Sequence, residues 1–410
     1  MKRLTLILTA AILINGAVQA QSTASAIFLL IAPGAAAGGR GETGVADASD
    51  AYASYYNPAA LAFLPQLPRL KLGGQGSNWL PNLADDMKYI FTPICYNVPE
   101  IGTFGGHVIF LDLGTQMRMD EYGNERGEFS SNMAAVTASF GTKMSPVSAV
   151  GFNVKLIHQN LSAYGAGGEE GKGVSTDFAF DFGYYRRQFL FSRLDLGLAV
   201  SNIGPKIAFI DEEQADPAPT NMRLGIKWRM IETTYNRVSL LYDMNKLLVA
   251  SYPGVDHDED GIIGGYDVDG NPTSEGGYSQ NGKREEAHTD PWYLALITSW
   301  FDDWYFGGDV DRDPEGKEGI IDSTEVGNQY DTTIMDELNT ITHNIGIEYW
   351  YSTYFAIRIG FIYDKLGKLS NPTFGAGIHY GPYGFDFGYI YGDEGHPLTN
   401  TMRFSLNIGF

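Results

Sequence analysis

The sequence is poor in several residue types on which whole classes of function depend. Cys95 is the one cysteine in 410 residues, and a single thiol cannot form an internal disulfide. Lys and Arg total 28 against 49 Asp and Glu, with a pI near 4.6, which argues against a nucleic-acid partner. The seven histidines are scattered and form no zinc-ligand pair or nucleophile motif: His107, His158, His257, His288, His343, His379 and His396. We therefore predict neither an enzyme nor a nucleic-acid-binding protein.

Beyond its N-terminus, the sequence also lacks an apolar run long enough for a transmembrane helix. At the N-terminus, Lys2 and Arg3 precede the apolar stretch "LTLILTAAILINGA", and Val18 and Ala20 occupy the positions of a cleavage signal. This pattern predicts a secretory signal peptide at residues 1–20, with the mature chain beginning near Gln21. An exported chain without apolar helices is either soluble or inserted in a membrane as a closed β-barrel.

What the sequence has in abundance is two-residue alternation. The last stretch, "NTMRFSLNIGF", is apolar at every second position, and the pattern recurs in "DFAFDFGYY", "LDLGLAVS" and "YFAIRIGFIYD". It predicts strands with two different faces. The second face carries glycine and charged residues: Asp181, Asp195, Arg223, Lys227, Glu348, Arg358 and Asp386. A soluble sandwich fits this pattern, but strands of about ten residues, 25 Tyr, 23 Phe and the signal peptide favour a membrane barrel with a polar lumen.

Fourteen such strands can be placed along the chain, near residues 69–77, 86–97, 102–113, 129–142, 147–160, 175–187, 192–203, 220–230, 236–247, 341–351, 354–364, 372–380, 382–392 and 400–410. Connections after even-numbered strands are short and those after odd-numbered strands are mostly longer, as in outer-membrane barrels with short periplasmic turns. An even number also lets the first and last strands pair and hide the sheet edges. We predict an all-β fold, a 14-stranded antiparallel transmembrane β-barrel of the bacterial outer membrane, at residues 67–410.

One connection of this barrel, residues 248–340, is far longer than the others and lies on the extracellular side by strand parity. Residues 251–340 hold 22 Asp and Glu against 4 Lys and Arg, so this insertion carries −18 of the net charge of −21. Within it, residues 291–306 are aromatic and apolar. They predict a short helix or docking surface at the barrel rim, although burial against the rim explains them equally well.

The acidic insertion contains a stretch, "DHDEDGIIGGYD", that matches the spacing of an EF-hand calcium loop. Its carboxylates stand at positions 1, 3, 5 and 12, where the final Asp in place of Glu weakens the bidentate contact: Asp256, Asp258, Asp260 and Asp267. A looser second cluster comprises Asp309, Asp311 and Asp313. We predict Ca²⁺ at these clusters and no other cofactor. The alternative is a solvated acidic loop whose like charges keep it open.

Four longer blocks resemble one known family. They are "AIFLLIAPGAAAGGRGETGVADASDAYASYYNPAALAF", "LAVSNIGPKIAFID", "DMNKLLV" and "GHPLTNTMRFSLNIGF", in that order along the chain. Together they resemble the PorV (LptO) family of type IX secretion outer-membrane proteins, whose fourteen-stranded fold is shared with the fatty-acid-channel family. The resemblance covers essentially the whole mature chain.

The resemblance implies a barrel that collects exported cargo by its C-terminal sorting domain and passes it to the cell-surface attachment machinery. The implied partners are that cargo, other secretion-system components and outer-membrane lipid. It also implies an N-terminal hatch or plug at residues 21–66; an external periplasmic arm is the alternative. One departure concerns this segment, because the family's Asp-Ala-Arg stretch and Gly-Gly-Met-Gly are replaced by Gly34 to Ala37 and "GGRG".

Two other functions stay open at this point. A channel for hydrophobic small molecules, as in the fatty-acid-channel relatives, predicts an apolar pocket under the hatch. The inward positions are mainly glycine and charged residues, which counts against such a pocket. A barrel enzyme would need an organised Ser or Asp with His at the outer rim, and the sequence offers none.

Overall fold

The computed structural model describes residues 24–119, 125–162, 173–209, 215–252, 264–273, 276–302, 334–392 and 398–410. The predicted signal peptide at residues 1–20 lies outside these ranges. No helix in the described ranges is long and apolar enough to cross a membrane.

Sixteen strands occur in the described ranges. They are β1 (Leu70–Asn78), β2 (Lys88–Val98), β3 (Gly102–Met119), β4 (Glu125–Lys143), β5 (Ser148–Ser162), β6 (Gly173–Arg186), β7 (Leu194–Ile203), β8 (Asn221–Glu232), β9 (Asn236–Leu247), β10 (Ser251–Tyr252), β11 (His288–Thr289), β12 (Thr342–Tyr351), β13 (Phe355–Asp364), β14 (Leu369–Tyr380), β15 (Tyr383–Ile390) and β16 (Met402–Gly409). Fourteen of them form one closed antiparallel barrel, in which β9 pairs with β12 and β1 pairs with β16. The predicted fourteen-stranded barrel is therefore confirmed.

The strand bounds differ from the prediction mainly at β3 and β4, which were expected to end at 113 and begin at 129. Both extend further, and their extra residues pair with each other across register shifts at Asp112/Thr115 and Met117/Met119. The extension escaped the sequence pattern because Gly114, Thr115 and Gln116 interrupt the alternating large apolar residues before Met117 and Met119. Ladder hydrogen bonds between the two strands do not require that alternation.

The two faces of the barrel wall are inverted relative to a soluble protein. On β13, Phe355, Ile357 and Ile359 are 52%, 59% and 54% exposed, whereas Arg358 between them is 2% exposed. The same alternation runs through β2, β5 and β15. Apolar side chains therefore face outward and polar ones inward, which is the arrangement that lipid requires of a membrane barrel.

Residues 24–64 form a luminal segment that packs inside the barrel. It contains two short α-helices (Ala35–Gly38 and Ala53–Tyr56) and two 3₁₀ helices (Ile27–Leu30 and Pro58–Phe63). Two apolar clusters form where this segment meets the wall; one contains Tyr52, Tyr55 and Phe91, the other Leu61 and Cys95. The core of the protein is thus the interface between the segment and the wall.

The long connection between β9 and β12 is described only in part. Its two-residue strands β10 and β11 pair with each other, and short helices span Trp292–Thr298 and Ile334–Asn339. Six of the seven predicted calcium ligands lie outside the described residues: Asp256, Asp258, Asp260, Asp309, Asp311 and Asp313.

Candidate functional site

Glycines allow the luminal segment and the wall to approach backbone to backbone. A Cβ on Gly39 would lie 2.6 Å from the Cα of Gly375, and one on Gly41, whose φ is +71°, would lie 2.4 Å from the carbonyl oxygen of Ile345. Further wall glycines meet the segment in the same way: Gly151, Gly197, Gly346, Gly360 and Gly388. The glycines on the inward faces of the strands therefore leave room for the backbone of the segment to pack against the wall.

A chain of buried ion pairs joins the luminal segment to three strands of the wall. Arg40 of the segment pairs with Asp47 nearby and with Glu348 on β12, at 3.0 Å. The carboxylate of Glu348 also accepts from Nε of Arg358 at 2.6 Å. Arg358 in turn contacts Asp386 on β15 at 2.7 Å. These five side chains are nearly inaccessible, so removing one of them leaves a buried charge without its partner.

Asp47 receives a second cation from β8, because the ammonium group of Lys227 lies 2.7 Å from its carboxylate. Burial alone raises the pKa of Asp47, but Arg40 and Lys227 outweigh this effect and hold the pKa below its ordinary value. Both cations stabilise the ionised carboxylate. The segment is thus held by charged side chains of β8 and β12, which lie on either side of β9.

Two further contacts anchor the same part of the segment. The buried carboxylate of Asp243 on β9 accepts the backbone N–H groups of Gly44 and Val45 at 2.7 and 3.0 Å. Arg403 on β16 pairs with Glu42 of the segment. Because these anchors come from widely separated strands, the segment bridges the lumen.

Two larger cavities lie on either side of the luminal segment, and a third, of about 20 Å³, lies between the segment and β15 and β16. The short-turn cavity, of about 790 Å³, lies at the ends of β8, β9, β12, β14 and β16 that the short connections join. The outer cavity, of about 150 Å³, lies at the opposite ends of β8, β9 and β12. No described residue lines both. The segment therefore separates the two mouths of the barrel.

Ser54 and His107 form the described pair that most resembles a catalytic arrangement. The hydroxyl of Ser54 lies 3.0 Å from Nδ1 of His107 and donates to the carbonyl of Ala51. Both side chains are buried within the segment–wall interface, at 0% and 2% exposure. A nucleophile must reach its substrate, so this geometry indicates a packing contact.

Asp267 is the one predicted calcium ligand within the described residues. It is partly exposed, and its carboxylate accepts the backbone N–H groups of Asp269 and Asn271, both at 2.9 Å, and the side-chain amide of Asn271. The hydrogen bonds from Asn271 lower the pKa of Asp267. Asp267 therefore caps the turn at residues 267–271. No group of three or more His, Cys, Asp or Glu side chains able to hold a metal occurs in the described ranges.

The helix Trp292–Thr298 presents an apolar surface. Its Tyr293 and Ile297 are 57% and 67% exposed, whereas Ala295 is buried. Nearby, Lys246 at the outer end of β9 pairs with Glu337 and lies 5.3 Å from the ring of Trp300. The described part of the insertion is thus fastened to the outer end of β9 and leaves this apolar surface accessible.

Sequence reasoning found four of the six side chains in the luminal charge network. The alternation placed Lys227, Glu348, Arg358 and Asp386 on the inward face, where the structure has them. It did not identify Arg40 as their partner, although "GGRG" marks it as the one cation among glycines. The signal was present, but the pairing needed the three-dimensional closure of the barrel.

Comparisons with known proteins found one matching family and several similar solved structures. A family model described as "Type IX secretion system protein PorV" matches residues 15–254. No curated protein matches. The solved toluene transporter TbuX of Ralstonia pickettii shares 13% identity over 94% of this chain and 100% of its own, with a TM-score of 0.48. A monoaromatic hydrocarbon channel, CymD, shares 11% identity over 93% of this chain and 98% of its own, with a TM-score of 0.49. The Pseudomonas putida toluene transporter TodX shares 10% identity over 92% of this chain and 96% of its own, with a TM-score of 0.45.

Proposed function

Because the chain belongs to the PorV family of type IX secretion system proteins, we propose that it binds the C-terminal sorting domains of exported cargo and passes that cargo to the surface attachment machinery. The family and the barrel make the chain an outer-membrane component of this secretion system that works with its other components. What we propose beyond this membership is the specific role of cargo binding.

The occupied lumen is the observation that carries this proposal beyond family membership. The luminal segment separates the two cavities and is anchored by buried ion pairs to several strands. A polypeptide cannot cross a barrel filled in this way, so cargo handling belongs at an outer surface. The barrel then acts as a receptor, and another component supplies the conduit.

The acidic insertion supplies a surface of suitable size at the extracellular end. Its helix at 292–298 exposes Trp292, Tyr293 and Ile297, and aromatic side chains dominate the energetics of many protein interfaces. Around this helix lies a strongly acidic sequence, which favours partners with basic patches.

The test is an affinity pull-down of the tagged protein from gently solubilised outer membranes with Ca²⁺ present, followed by mass spectrometry. A variant in which a short Gly-Ser turn replaces 253–287 keeps the β10–β11 pair. A second variant carries Trp292→Ser and Ile297→Ser. We expect the full chain to recover exported proteins that share a C-terminal sorting domain, and both variants to lose them.

The matched control is Leu190→Ser, which removes an exposed apolar side chain in a short connection at the other end of the barrel. Leu190 is 76% exposed, against 44% for Trp292 and 67% for Ile297. It should recover cargo normally. Recovery of bound lipid or fatty acid with no protein partner would contradict the cargo proposal and favour the hydrophobic channel.

We also propose that the insertion binds Ca²⁺ through Asp256, Asp258 and Asp260, with Asp309, Asp311 and Asp313 as a second, weaker cluster. Asp267 fits its predicted place less well, because its carboxylate already caps a turn. The expected affinity is of order 10⁻⁴–10⁻³ M, which is usual for extracellular modules.

Isothermal titration of the purified barrel with Ca²⁺ tests this site. Asp258→Asn should abolish the tighter phase, whereas Asp267→Asn should weaken it by a smaller factor. Asp290→Asn, in the same insertion but outside both clusters, is the control. A titration without saturable heat would refute the calcium proposal and leave a solvated acidic loop.

We propose that the protein has no catalytic activity and does not conduct hydrophobic molecules. Both cavities carry charged and amide side chains near the segment, such as Arg40 and Glu348 in one and Arg223 and Asn245 in the other. An apolar ligand would have to remove water from these groups at a cost. Uptake assays with fatty acids or aromatic hydrocarbons should therefore show no transport.

A further inference from the structure

The short-turn cavity is a blind vestibule whose floor is the luminal segment. Residues 48–51 of that segment and residues 65 and 67–68 beyond it line the cavity, together with the wall. Its mouth lies at the short connections, which in outer-membrane barrels face the periplasm. Its volume of about 790 Å³ falls within the range of small-molecule sites.

Most charges in this cavity neutralise one another. Arg40 and Arg358 share Glu348, Lys227 pairs with Asp47, and Arg229 pairs with Asp195 at 3.1 Å: these cations have partners. Lys71 donates to the carbonyl oxygens of Pro65 and Pro68 and so holds the chain at the cavity edge.

Arg237 differs from these cations. It lies on the inward face of β9, and its Nη2 donates to the carbonyl oxygen of Ser352 at 3.0 Å. In the part of the chain that the structure describes, no carboxylate pairs with it. A guanidinium group carries five N–H donors in a planar fork, so four remain for a ligand or water.

Trp350 holds Arg237 in place and extends the site. The guanidinium carbons of Arg237 and Arg358 lie 5.5 and 5.4 Å from the indole ring, and the ring of His379 meets it edge-on at 4.8 Å. A cation on an indole face is stabilised by the ring quadrupole. Trp350 and Tyr354 also line the cavity, so they present flat apolar surface beside the free donors.

We propose that this cavity binds a carboxylate monoanion that carries an aromatic or apolar group, with Arg237 as its anion-binding residue. The fork of Arg237 matches the two oxygens of a carboxylate, and Trp350 receives the apolar body. Asp50 and Glu232 line the same cavity, so a dianion such as phosphate would be repelled more strongly than a monoanion. The carboxylate can belong to a small organic acid or to the free C-terminus of a peptide.

The test is isothermal titration of the full-length barrel in detergent with two carboxylates, phenylacetate and N-acetyl-Gly-Phe. Their amides and inorganic phosphate are the matched negative probes. We expect saturable binding of at least one carboxylate and none of the amides or phosphate. Binding of the peptide alone would identify the ligand as the C-terminus of a chain, and binding of phenylacetate alone would identify it as a small organic acid.

Arg237→Gln should weaken binding about tenfold or more, because a charge-assisted bidentate contact is lost, and Arg237→Lys should give an intermediate loss. Arg193→Gln is the control. Like Arg237, Arg193 lies at a short connection and donates to a backbone carbonyl, that of Met230, but it does not line the cavity. Absence of saturable carboxylate binding, equal binding of the amides or phosphate, or unchanged binding by Arg237→Gln would overturn the proposal. None of these results bears on cargo binding at the outer end.

Discussion

Replacement of Glu348 by Gln should loosen the luminal segment without unfolding the barrel. The carboxylate of Glu348 lies between Arg40 of the segment and Arg358 of the wall, and these side chains are at most 6% exposed. Breaking a buried ion pair by removal of one partner costs about 3–5 kcal/mol. Because Gln keeps one hydrogen-bond acceptor, we expect the lower end, about 3 kcal/mol, which corresponds to a roughly hundredfold larger opening constant.

The single cysteine provides the assay. Cys95 is 1% exposed and packs in the apolar cluster that includes Leu61 of the segment. A maleimide can reach its thiol only when the segment moves away. If opening and closing are fast, the labelling rate is proportional to the opening constant. The rate for Glu348→Gln should therefore exceed that of the unchanged chain by about two orders of magnitude.

Glu337→Gln is the matched control, because Glu337 is equally buried and paired, with Lys246, but does not contact the luminal segment. Its Cys95 should be labelled at the original rate. Heat-modified gel migration establishes that each barrel is still closed. A labelling rate for Glu348→Gln within twofold of the original would show that the ion-pair chain does not hold the segment, and would refute the reasoning.

Two other changes probe the same interface with the same assay. Gly39→Ala should raise the labelling rate, because the new methyl group would lie 2.6 Å from the backbone of Gly375 and overpacking costs about 1–3 kcal/mol. Gly74→Ala, which meets no atom within 4 Å, should leave the rate unchanged; equal effects would contradict the close-approach argument. Burial and the charge of Asp47 raise the pKa of Asp50 to about 6, above the unfolded value of about 3.9. Protonated Asp50 therefore stabilises the segment at low pH. The labelling rate, divided by that of a free cysteine peptide at the same pH to remove the intrinsic reactivity of the thiolate, should rise between about pH 4 and pH 6. Asp50→Asn should flatten that pH dependence, and an unchanged profile would assign it to another group.

The barrel was predictable because its signal is local. A strand on a two-faced wall imposes a period of two on any short window, and "YFAIRIGFIYD" shows it without reference to the rest of the chain. Strand bounds were missed where that period ends, as in β3 beyond residue 113. There the pairing rests on backbone hydrogen bonds, which leave no mark on side-chain hydrophobicity.

The candidate sites were less predictable because their members are distant in sequence. Arg40 and Glu348 are separated by 308 positions, and no local pattern relates them. The inward glycines were recognised as a feature of the lumen, but their purpose, room for the backbone of the luminal segment, became clear only from contacts such as Gly39 with Gly375. The calcium loop is a local motif, yet its first three carboxylates lie outside the described residues.

The ion pairs and the apolar clusters hold the luminal segment in different ways. If the segment left the lumen, Arg40 and Glu348 would be hydrated by water, so their attraction contributes little net stability. Removal of Tyr52 and Tyr55 from their cluster with Phe91 would expose apolar surface to water, which costs about 25 cal/mol of free energy per Å². The apolar clusters therefore supply most of the stabilisation, and the ion pairs fix the position of the segment by penalising every arrangement that leaves a buried charge alone. It follows that replacing all six members of the network together by apolar residues of similar volume should disturb the segment less than replacing Glu348 alone. The six members are Arg40, Asp47, Lys227, Glu348, Arg358 and Asp386.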